Sequence, residues 1–273
     1  MSIQWFPGHM QKARRQMEEE LKLVDIIIEL RDARIPLASE NPILKELAQN
    51  KPRLIVLNKA DLADEKESNK WMNNFSNCLV LNSQTGNITN IVVNAVKDIC
   101  RDKLERAKAR GIRKKVLRAM VVGIPNVGKS TFINNIVKKK ATKVENRPGV
   151  TRNLQWIRIN EEVELLDTPG VLWPKFDNQD DARLLAIVGT INDDVLDKQE
   201  LVLFGLDYLK NNYKGLISCR YNVNENSDNL LNDIARSKGW LTKDNDVNID
   251  KTVDLILKDI RSNVIGRITW QKC

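Results

Sequence analysis

The chain has 273 residues, of which 42% are hydrophobic and 29% charged, and its formal net charge is +8. This length allows one sizeable core and a smaller second domain. No apolar run approaches the roughly 18 residues that a membrane helix needs, which argues against a membrane-spanning protein. The four cysteines and the one histidine are scattered along the chain, which argues against a zinc site and favours a cytoplasmic protein.

Short apolar runs rich in Val, Ile and Leu alternate with helical patterns, which predicts an α/β fold with a mostly parallel sheet flanked by helices. The predicted strands are Val24–Leu30, Leu54–Leu57, Cys78–Leu81, Ala119–Gly123, Leu154–Ile159 and Val163–Leu166. The predicted helices between them are Lys12–Leu21, Pro42–Gln49, Lys66–Phe75, Ile88–Ala109 and Lys129–Lys138.

The strand pattern fades after Gln179, so we expect two domains. Residues 1–178 form the α/β domain, with residues 1–20 as a separate N-terminal segment, and residues 179–273 form a small all-helical domain. The predicted helices of this second domain are Asp181–Val188, Lys198–Asn211, Ser227–Lys238 and Ile249–Ile260.

A phosphate-binding loop is predicted at Gly123–Ser130, which fits the pattern G-x-x-x-x-G-K-[ST]. It follows an apolar strand and opens a helix, and this context argues against a chance match. Backbone N–H groups converge on phosphate oxygens, Lys129 adds a catalytic positive charge, and Ser130 offers a hydroxyl to Mg²⁺. The expected nucleotide contacts are Asn126, Val127, Gly128, Lys129, Ser130 and Thr131.

Base specificity is predicted for Asn58-Lys59-Ala60-Asp61, which follows a strand and is expected to contact the nucleotide. The Asp61 carboxylate can accept from N1–H and the exocyclic amine of guanine, two donors that adenine lacks. The stem of Lys59 is expected to lie over the base, and Asn58 to tie this loop to the phosphate loop. N-K-x-D alone is also compatible with an incidental surface loop, but beside a phosphate loop it is specific.

Two further loops complete the predicted site. Asn82–Gly86 ends the next strand, where GTPases place a loop that meets guanine O6, so Ser83 and Gln84 are expected contacts even though Gln84 stands where Ala is usual. After the last strand, Asp167 is expected to hold Mg²⁺ through water and the Gly170 N–H to bind the γ-phosphate.

Thr151 is the expected second hydroxyl ligand to Mg²⁺, in a polar loop of a length that orders with triphosphate bound. The segment after Gly170 leads directly into the helical domain. Ordering of this segment by the γ-phosphate is therefore expected to reposition that domain.

The motif order is unusual, because N-K-A-D precedes the phosphate loop instead of following it. In this order, and in the segments Trp5–Met10, Asp32–Pro36 and Gly266–Ile268, the chain resembles the circularly permuted GTPases, and within them the ribosome biogenesis GTPase A family. The resemblance spans nearly the whole chain. It implies GTP-dependent assembly of the large ribosomal subunit, with a helical C-terminal domain that contacts ribosomal RNA.

Hydrolysis is expected to be slow without a partner, because Val171 occupies the place where many GTPases carry a water-orienting Gln. The resemblance implies that His9 positions the water, the alternative being a surface or structural histidine. The phosphate loop also resembles loops in which the asparagine at this position binds K⁺ beside the phosphates. The resemblance implies K⁺ binding by Asn126, the alternative being a plain loop residue.

RNA contact is predicted from basic clusters. Residues 101–118 contain nine Lys/Arg and two acids, a local charge of +7, although such a run is also typical of a solvated face. Basic residues of the helical domain suit contact with phosphates, and two tryptophans are candidates for stacking on bases, the alternative being burial in the core. They are Arg220, Lys238, Arg261, Arg267, Trp240 and Trp270.

Three functions remain open on the sequence. The favoured one is a monomeric GTPase that checks assembly of the large ribosomal subunit. The others are an RNA-linked GTPase that serves another particle, and a GTP-binding scaffold without turnover, which Val171 would permit.

Overall fold

The computed structural model describes residues 15, 18, 19, 21–41, 44, 48, 51–137, 155–167, 179–193 and 197–273. The predicted helices Lys12–Leu21 and Pro42–Gln49 lie largely outside these residues. Three predicted site residues, His9, Thr151 and Gly170, also lie outside them.

The described residues form one sheet, built from β1 (Ile26–Asp32), β2 (Arg53–Asn58), β3 (Cys78–Val80), β4 (Leu117–Gly123), β5 (Gln155–Arg158) and β6 (Val163–Asp167). Their spatial order is β3-β2-β1-β4-β6-β5. All neighbouring strands run parallel except β5, which pairs antiparallel with β6 at one edge. The mostly parallel sheet predicted from the sequence is therefore confirmed.

The central strands are buried along most of their length because helices cover both faces of the sheet, and β1 also buries Glu29 and Arg31 as an ion pair. Every residue of β1 is buried, and β4 is buried except at Arg118. The edge strand β3 has three residues, all partly exposed. β1 and β4 lie side by side, so the segment 111–115 joins two halves of one sheet, as expected.

The helices of the first part are α1 (Glu65–Asn74), α2 (Thr89–Ile99), α3 (Arg101–Ala109) and α4 (Lys129–Val137). Asp64 starts α1 by accepting hydrogen bonds from the backbone amides of Lys66 and Glu67, a side-chain cap that satisfies two N–H groups of the first turn. The later helices are α5 (Gln179–Ile187), α6 (Lys198–Asn212), α7 (Leu216–Tyr221), α8 (Leu230–Lys238) and α9 (Ile249–Arg261).

Two helix predictions need correction. The expected single helix Ile88–Ala109 is broken at Cys100, whose backbone leaves helical geometry at φ −95° and ψ 14°. The break turns the basic α3 towards Asp25, which forms an ion pair with Lys103. The short helix α7 was not predicted, because its six residues fall below the length at which a periodic pattern is recognisable.

The later helices pack on the sheet as well as on one another. Leu185, Val202 and Ile256 belong to the same hydrophobic cluster as Ile28 and Ala119 of the sheet. The only strand-like pairing among the described residues after 179 is an isolated bridge between Leu241 and Val247, so this part is helical, as predicted. No helix among the described residues is long and apolar enough to cross a membrane.

Several basic residues considered as RNA contacts bind other parts of the chain. Arg220 forms an ion pair with Asp259 at 2.8 Å, and Arg261 forms one with Asp193 at 2.8 Å. Arg267 donates to backbone carbonyls of the predicted base-specificity loop. These guanidinium groups are already engaged by carboxylates or carbonyls, and their contact with RNA phosphates stays a prediction.

The two tryptophans behave as packing residues. Trp270 is buried with 3% of its surface exposed, because it packs against Tyr208 with ring centroids 5.0 Å apart. Trp240 is partly buried and meets Tyr221 edge-on at 6.3 Å. The structure therefore supports the core interpretation for Trp270 and excludes stacking on an RNA base.

Candidate guanine-nucleotide site

The predicted site loops gather at one edge of the sheet, where the parallel strands end. Residues 58–61 follow β2, residues 82–86 follow β3, the phosphate loop follows β4, and Asp167 ends β6. Carboxyl ends of parallel strands meet at the same edge, and ligands of open α/β sheets bind there. The fold therefore brings together motifs that are up to about a hundred residues apart in the chain.

Asn58 joins three of these loops. Its side-chain amide donates to the carbonyl of Val127 in the phosphate loop at 2.8 Å. Its side-chain oxygen accepts from the backbone amide of Ser83 at 3.0 Å and from the Ser83 hydroxyl at 2.6 Å. The contact to the phosphate loop is the one expected from the sequence, and the Asn58 side chain is buried, so these bonds are shielded from water.

The helix after the phosphate loop holds the same corner. The side-chain amide of Asn135 on α4 donates to the carbonyl of Ser83 at 3.0 Å. The backbone of Ser83 is thus fixed from both sides, by Asn58 and by Asn135. Gln84 is exposed, so its side chain takes no part in this packing.

Two glycines of the phosphate loop are required by close contacts. A Cβ atom at Gly123 would lie 2.9 Å from the carbonyl oxygen of Leu30, and one at Gly128 would lie 2.5 Å from the Asn58 amide nitrogen. Gly128 also has a φ of +92°, which disfavours any other residue. Glycine at these positions lets the backbone approach its neighbours and turn its N–H groups into the site.

Lys129 and Ser130 begin α4, at the positive end of its helix dipole. Lys129 is buried, with 6% of its surface exposed, which is rare for lysine outside a specific site. Asn126, Val127 and Gly128 immediately precede them in the loop, and Thr131 lies in the first turn of α4, so the predicted phosphate contacts are contiguous.

Metal ligands fit the same corner. β4 and β6 are adjacent, and Asp167, the last residue of β6, pairs with Val121 of β4, the strand that leads into the phosphate loop and Ser130. A hydroxyl and a carboxylate are oxygen donors of the kind that Mg²⁺ prefers. The two residue types are therefore compatible with a magnesium ion. Thr151, the third predicted ligand, lies outside the described residues.

Asp32 carries an ion-pair cluster beside the base-specificity loop that the sequence did not predict. Arg34 donates to both of its carboxylate oxygens, at 2.9 Å and 2.7 Å, and the Lys59 ammonium lies 3.0 Å away. Asp32 is 1% exposed. Burial alone would raise the pKa of Asp32, but Arg34 and Lys59 outweigh it and hold the pKa well below its usual range.

Lys59 therefore has two constraints. Its backbone is left-handed, at φ +60°, and its ammonium is paired with Asp32. Burial lowers the pKa of Lys59 and the neighbouring carboxylate offsets part of that effect. The signal that could have revealed this cluster is the pairing of Asp32 with Asn58 across β1 and β2, which follows from the register of two parallel strands.

Asn126 connects the phosphate loop to the helical part. It is left-handed, at φ +58°, and its side-chain amide donates to the carbonyl of Gly189 at 3.1 Å, just after α5. The sequence predicted K⁺ binding for this residue and did not predict this contact. The amide nitrogen cannot coordinate a cation, so any role in K⁺ binding falls to the side-chain oxygen.

A phosphate loop, a guanine-specificity loop and metal donors at one sheet edge, with the base loop earlier in the chain, define a circularly permuted GTPase. The family described as 50S ribosome-binding GTPase matches residues 118–249, beginning at β4. Residues 58–61 lie ahead of the matched region, as the permuted order requires.

Full-length relatives identify the family. Ribosome biogenesis GTPase A of Bacillus pumilus (strain SAFR-032) is 43% identical, with 100% of this chain and 99% of the relative covered. That of Thermotoga maritima is 29% identical, with 99% and 94% covered. A crystal structure of GNP-bound YlqF from T. maritima superposes with a TM-score of 0.66 at 25% identity, over 96% of this chain and 98% of that one. This chain belongs to the ribosome biogenesis GTPase A family and is a GTPase.

Proposed function

We propose that this GTPase assists late assembly of the large ribosomal subunit, binds precursor particles through ribosomal RNA in the GTP state and is released on hydrolysis. The observation that carries the proposal is full-length similarity to proteins named for ribosome biogenesis, together with the gathering of the phosphate and base-specificity loops at one edge of the sheet. The match to the 50S ribosome-binding GTPase family supports the large subunit as the particle.

RNA binding is proposed for α3 and the connector that follows it. Arg106, Lys108, Arg110 and Arg113 are exposed on this stretch. Asp25 pairs with Lys103 and lies 3.7 Å from Lys115, so part of the basic charge is neutralised within the protein. The exposed remainder suits contact with phosphates of any sequence.

This basic surface is far from the nucleotide. Asp25 directly precedes β1, so α3 lies at the amino-terminal edge of the sheet, while the phosphate loop lies at the carboxyl-terminal edge. The seven residues of β1 separate the two edges by about 20 Å. RNA bound here would therefore influence hydrolysis only indirectly, through the sheet or through the helical part. We propose the helical part, residues 179–273, as a second RNA-binding domain.

Within the helical domain, exposed basic residues remain after the engaged arginines are set aside. Arg236, Lys243 and Lys258 are exposed. We place them ahead of Arg220, Arg261 and Arg267 as proposed phosphate contacts. The phosphate loop touches this domain through Asn126 and Gly189, so the proposed nucleotide-dependent movement has a direct contact to act on.

In the nucleotide site, Asp61 reads guanine, with Lys59, Ala60, Ser83 and Gln84 around the base. Lys129 and the amides of the phosphate loop hold the phosphates. Ser130, Thr151 and Asp167 would hold Mg²⁺, which supplies charge for the phosphates during transfer. Gly170 is proposed to bind the γ-phosphate.

Two further roles complete the proposal. K⁺ bound by the Asn126 side-chain oxygen adds positive charge beside the phosphates. His9 positions the attacking water when the protein is bound to the particle.

The test is sedimentation with large-subunit precursors in GDP and in a non-hydrolysable GTP analogue. We expect co-sedimentation with the analogue and release with GDP. The double variant Arg106→Gln/Arg110→Gln is expected to weaken binding, while Lys66→Gln/Lys70→Gln, with the same charge change on the exposed face of α1, is not. Equal sedimentation in both nucleotides would contradict the cycle, and failure to bind any particle would favour another partner.

A further inference from the structure

The base-specificity loop is held from behind by the end of the chain. Four consecutive carbonyls, those of residues 60–63, each accept a hydrogen bond from the segment 263–268. Arg267 donates to Ala60 at 2.8 Å and to Ala63 at 2.9 Å. The remaining two bonds run from the Asn263 side-chain amide to Asp61 at 3.3 Å and from the Ile268 backbone amide to Leu62 at 3.1 Å.

The segment that makes these bonds, residues 263–273, is called here the C-terminal strap. Its far end is fixed to the α/β part. The Trp270 amide donates to the carbonyl of Arg34 at 2.7 Å, and the indole of Trp71 donates to the carbonyl of Gln271 at 2.8 Å. The Thr269 hydroxyl accepts from the amide of Asp64 at 3.1 Å.

The strap is equally bound to the helical part. The hydroxyls of Tyr208 and Tyr213 both donate to the carbonyl of Thr269, at 2.8 Å and 3.1 Å. Thr269 is fully buried. The strap is therefore hydrogen-bonded on one side to the helices and on the other to the base-specificity loop.

Arg267 is the central contact, because its two carbonyls flank Asp61. A guanidinium is planar and carries donors in fixed directions, so two bonds from one group fix the distance between Ala60 and Ala63. Its third contact, to Glu65 at 3.4 Å, is exposed and adds little. Because the backbone is held before and after Asp61, the position of the Asp61 carboxylate is constrained.

We infer that Arg267 is a positioning residue for guanine recognition, acting through the backbone of the Asp61 loop. The inference rests on the proposed role of Asp61 as the base reader. A carboxylate that accepts from two adjacent donors needs a defined position, and a displacement of about 1 Å weakens such a pair strongly. Loss of the strap contacts is expected to weaken the base contacts and leave the phosphate contacts intact.

The experiment compares Kd for GDP and for inosine diphosphate, which lacks the exocyclic amine, in folded protein checked by circular dichroism. Wild type is expected to prefer GDP. Arg267→Gln is expected to bind GDP about tenfold more weakly and to lose most of the preference between the two. Arg267→Lys keeps the positive charge but loses the planar group with two donors. Its preference for GDP is therefore expected to lie between those of wild type and Arg267→Gln.

Two control variants separate the loop contacts from ion pairing and general stability. Glu65→Gln removes only the exposed ion pair of Arg267, and Arg220→Gln removes a comparable pair to Asp259 inside the helical part. Both are expected to keep the wild-type preference. Asn263→Gly suits the φ of +63° and removes only the donor to Asp61, so a smaller loss of preference is expected even if Arg267→Gln does not fold.

Asp61→Asn separates this inference from the site on which it rests. An amide can pair with xanthine, which carries a carbonyl in place of the amine, so this variant is expected to prefer xanthosine diphosphate. No such switch would show that Asp61 does not read the base. A switch in Asp61→Asn with an unchanged GDP preference in Arg267→Lys and Asn263→Gly would overturn the role of the strap alone.

Discussion

The glycine that packs against Asn58 offers a direct test of how the phosphate loop is held. In Gly128→Ala, the added Cβ would lie 2.5 Å from the Asn58 amide nitrogen, so Asn58 must move. Movement breaks its bonds to Val127 and Ser83 in a buried setting, at a cost of about 1 to 3 kcal/mol. The φ of +92° adds about 1 kcal/mol of strain for a residue with a Cβ.

Gly215→Ala is the matched control, because Gly215 has a φ of +87° with nothing within 4 Å of the added Cβ. Urea denaturation is expected to show a loss of about 1 kcal/mol for this control and about 2 to 4 kcal/mol for Gly128→Ala. GDP titration is expected to show about 30-fold weaker binding for Gly128→Ala only. Equal losses in the two variants, with equal GDP affinity, would refute the account of the loop.

Three further predictions follow from single contacts. Asp32→Asn leaves Arg34 and Lys59 without their carboxylate, so the free energy of unfolding is expected to fall by about 3 kcal/mol in chemical denaturation. Because the folded pKa of Asp32 is depressed below 3.8, this difference is expected to hold from about pH 5 to about pH 8 and to shrink as pH falls below about 4; a constant difference down to pH 3 would contradict it. GTP turnover is expected to be about tenfold faster in K⁺ than in Na⁺, and Asn126→Gly, which suits the φ of +58°, is expected to remove that difference. Arg106→Gln/Arg110→Gln is expected to lower the slope of log K against log salt for RNA binding by about 1.5; an unchanged slope would place the RNA elsewhere.

The sheet could be predicted from the sequence because local pattern and tertiary environment agree there. β1 begins with three isoleucines and β4 is apolar except at Arg118, since both faces of these strands are covered, and motif residues mark their ends. The contact of Asn58 with the phosphate loop followed from the chemistry of the two motifs. In both cases the prediction rests on short stretches of sequence, each of which has a recognisable pattern of its own.

Other features depend on pairs of distant residues, so no local pattern shows them. The sequence around Arg267 indicates only a surface charge. Its contacts with Ala60 and Ala63, about two hundred residues earlier in the chain, are visible only in the folded structure. The ion pair of Lys103 with Asp25, beyond the helix break at Cys100, likewise joins residues that are far apart in the chain. Net charge indicated a basic surface but could not show which arginines already bind other parts of the chain.

The central claim is that residues 58–61 and 123–130, in permuted order, form one guanine-nucleotide site. Calorimetric titration of GDP and ADP into wild type, Asp61→Ala and Lys129→Ala tests it most directly. We expect wild type to bind GDP and reject ADP, Lys129→Ala to lose GDP affinity, and Asp61→Ala to lose the discrimination between the two. Equal binding of GDP and ADP by wild type, or undiminished binding by Lys129→Ala, would contradict the claim.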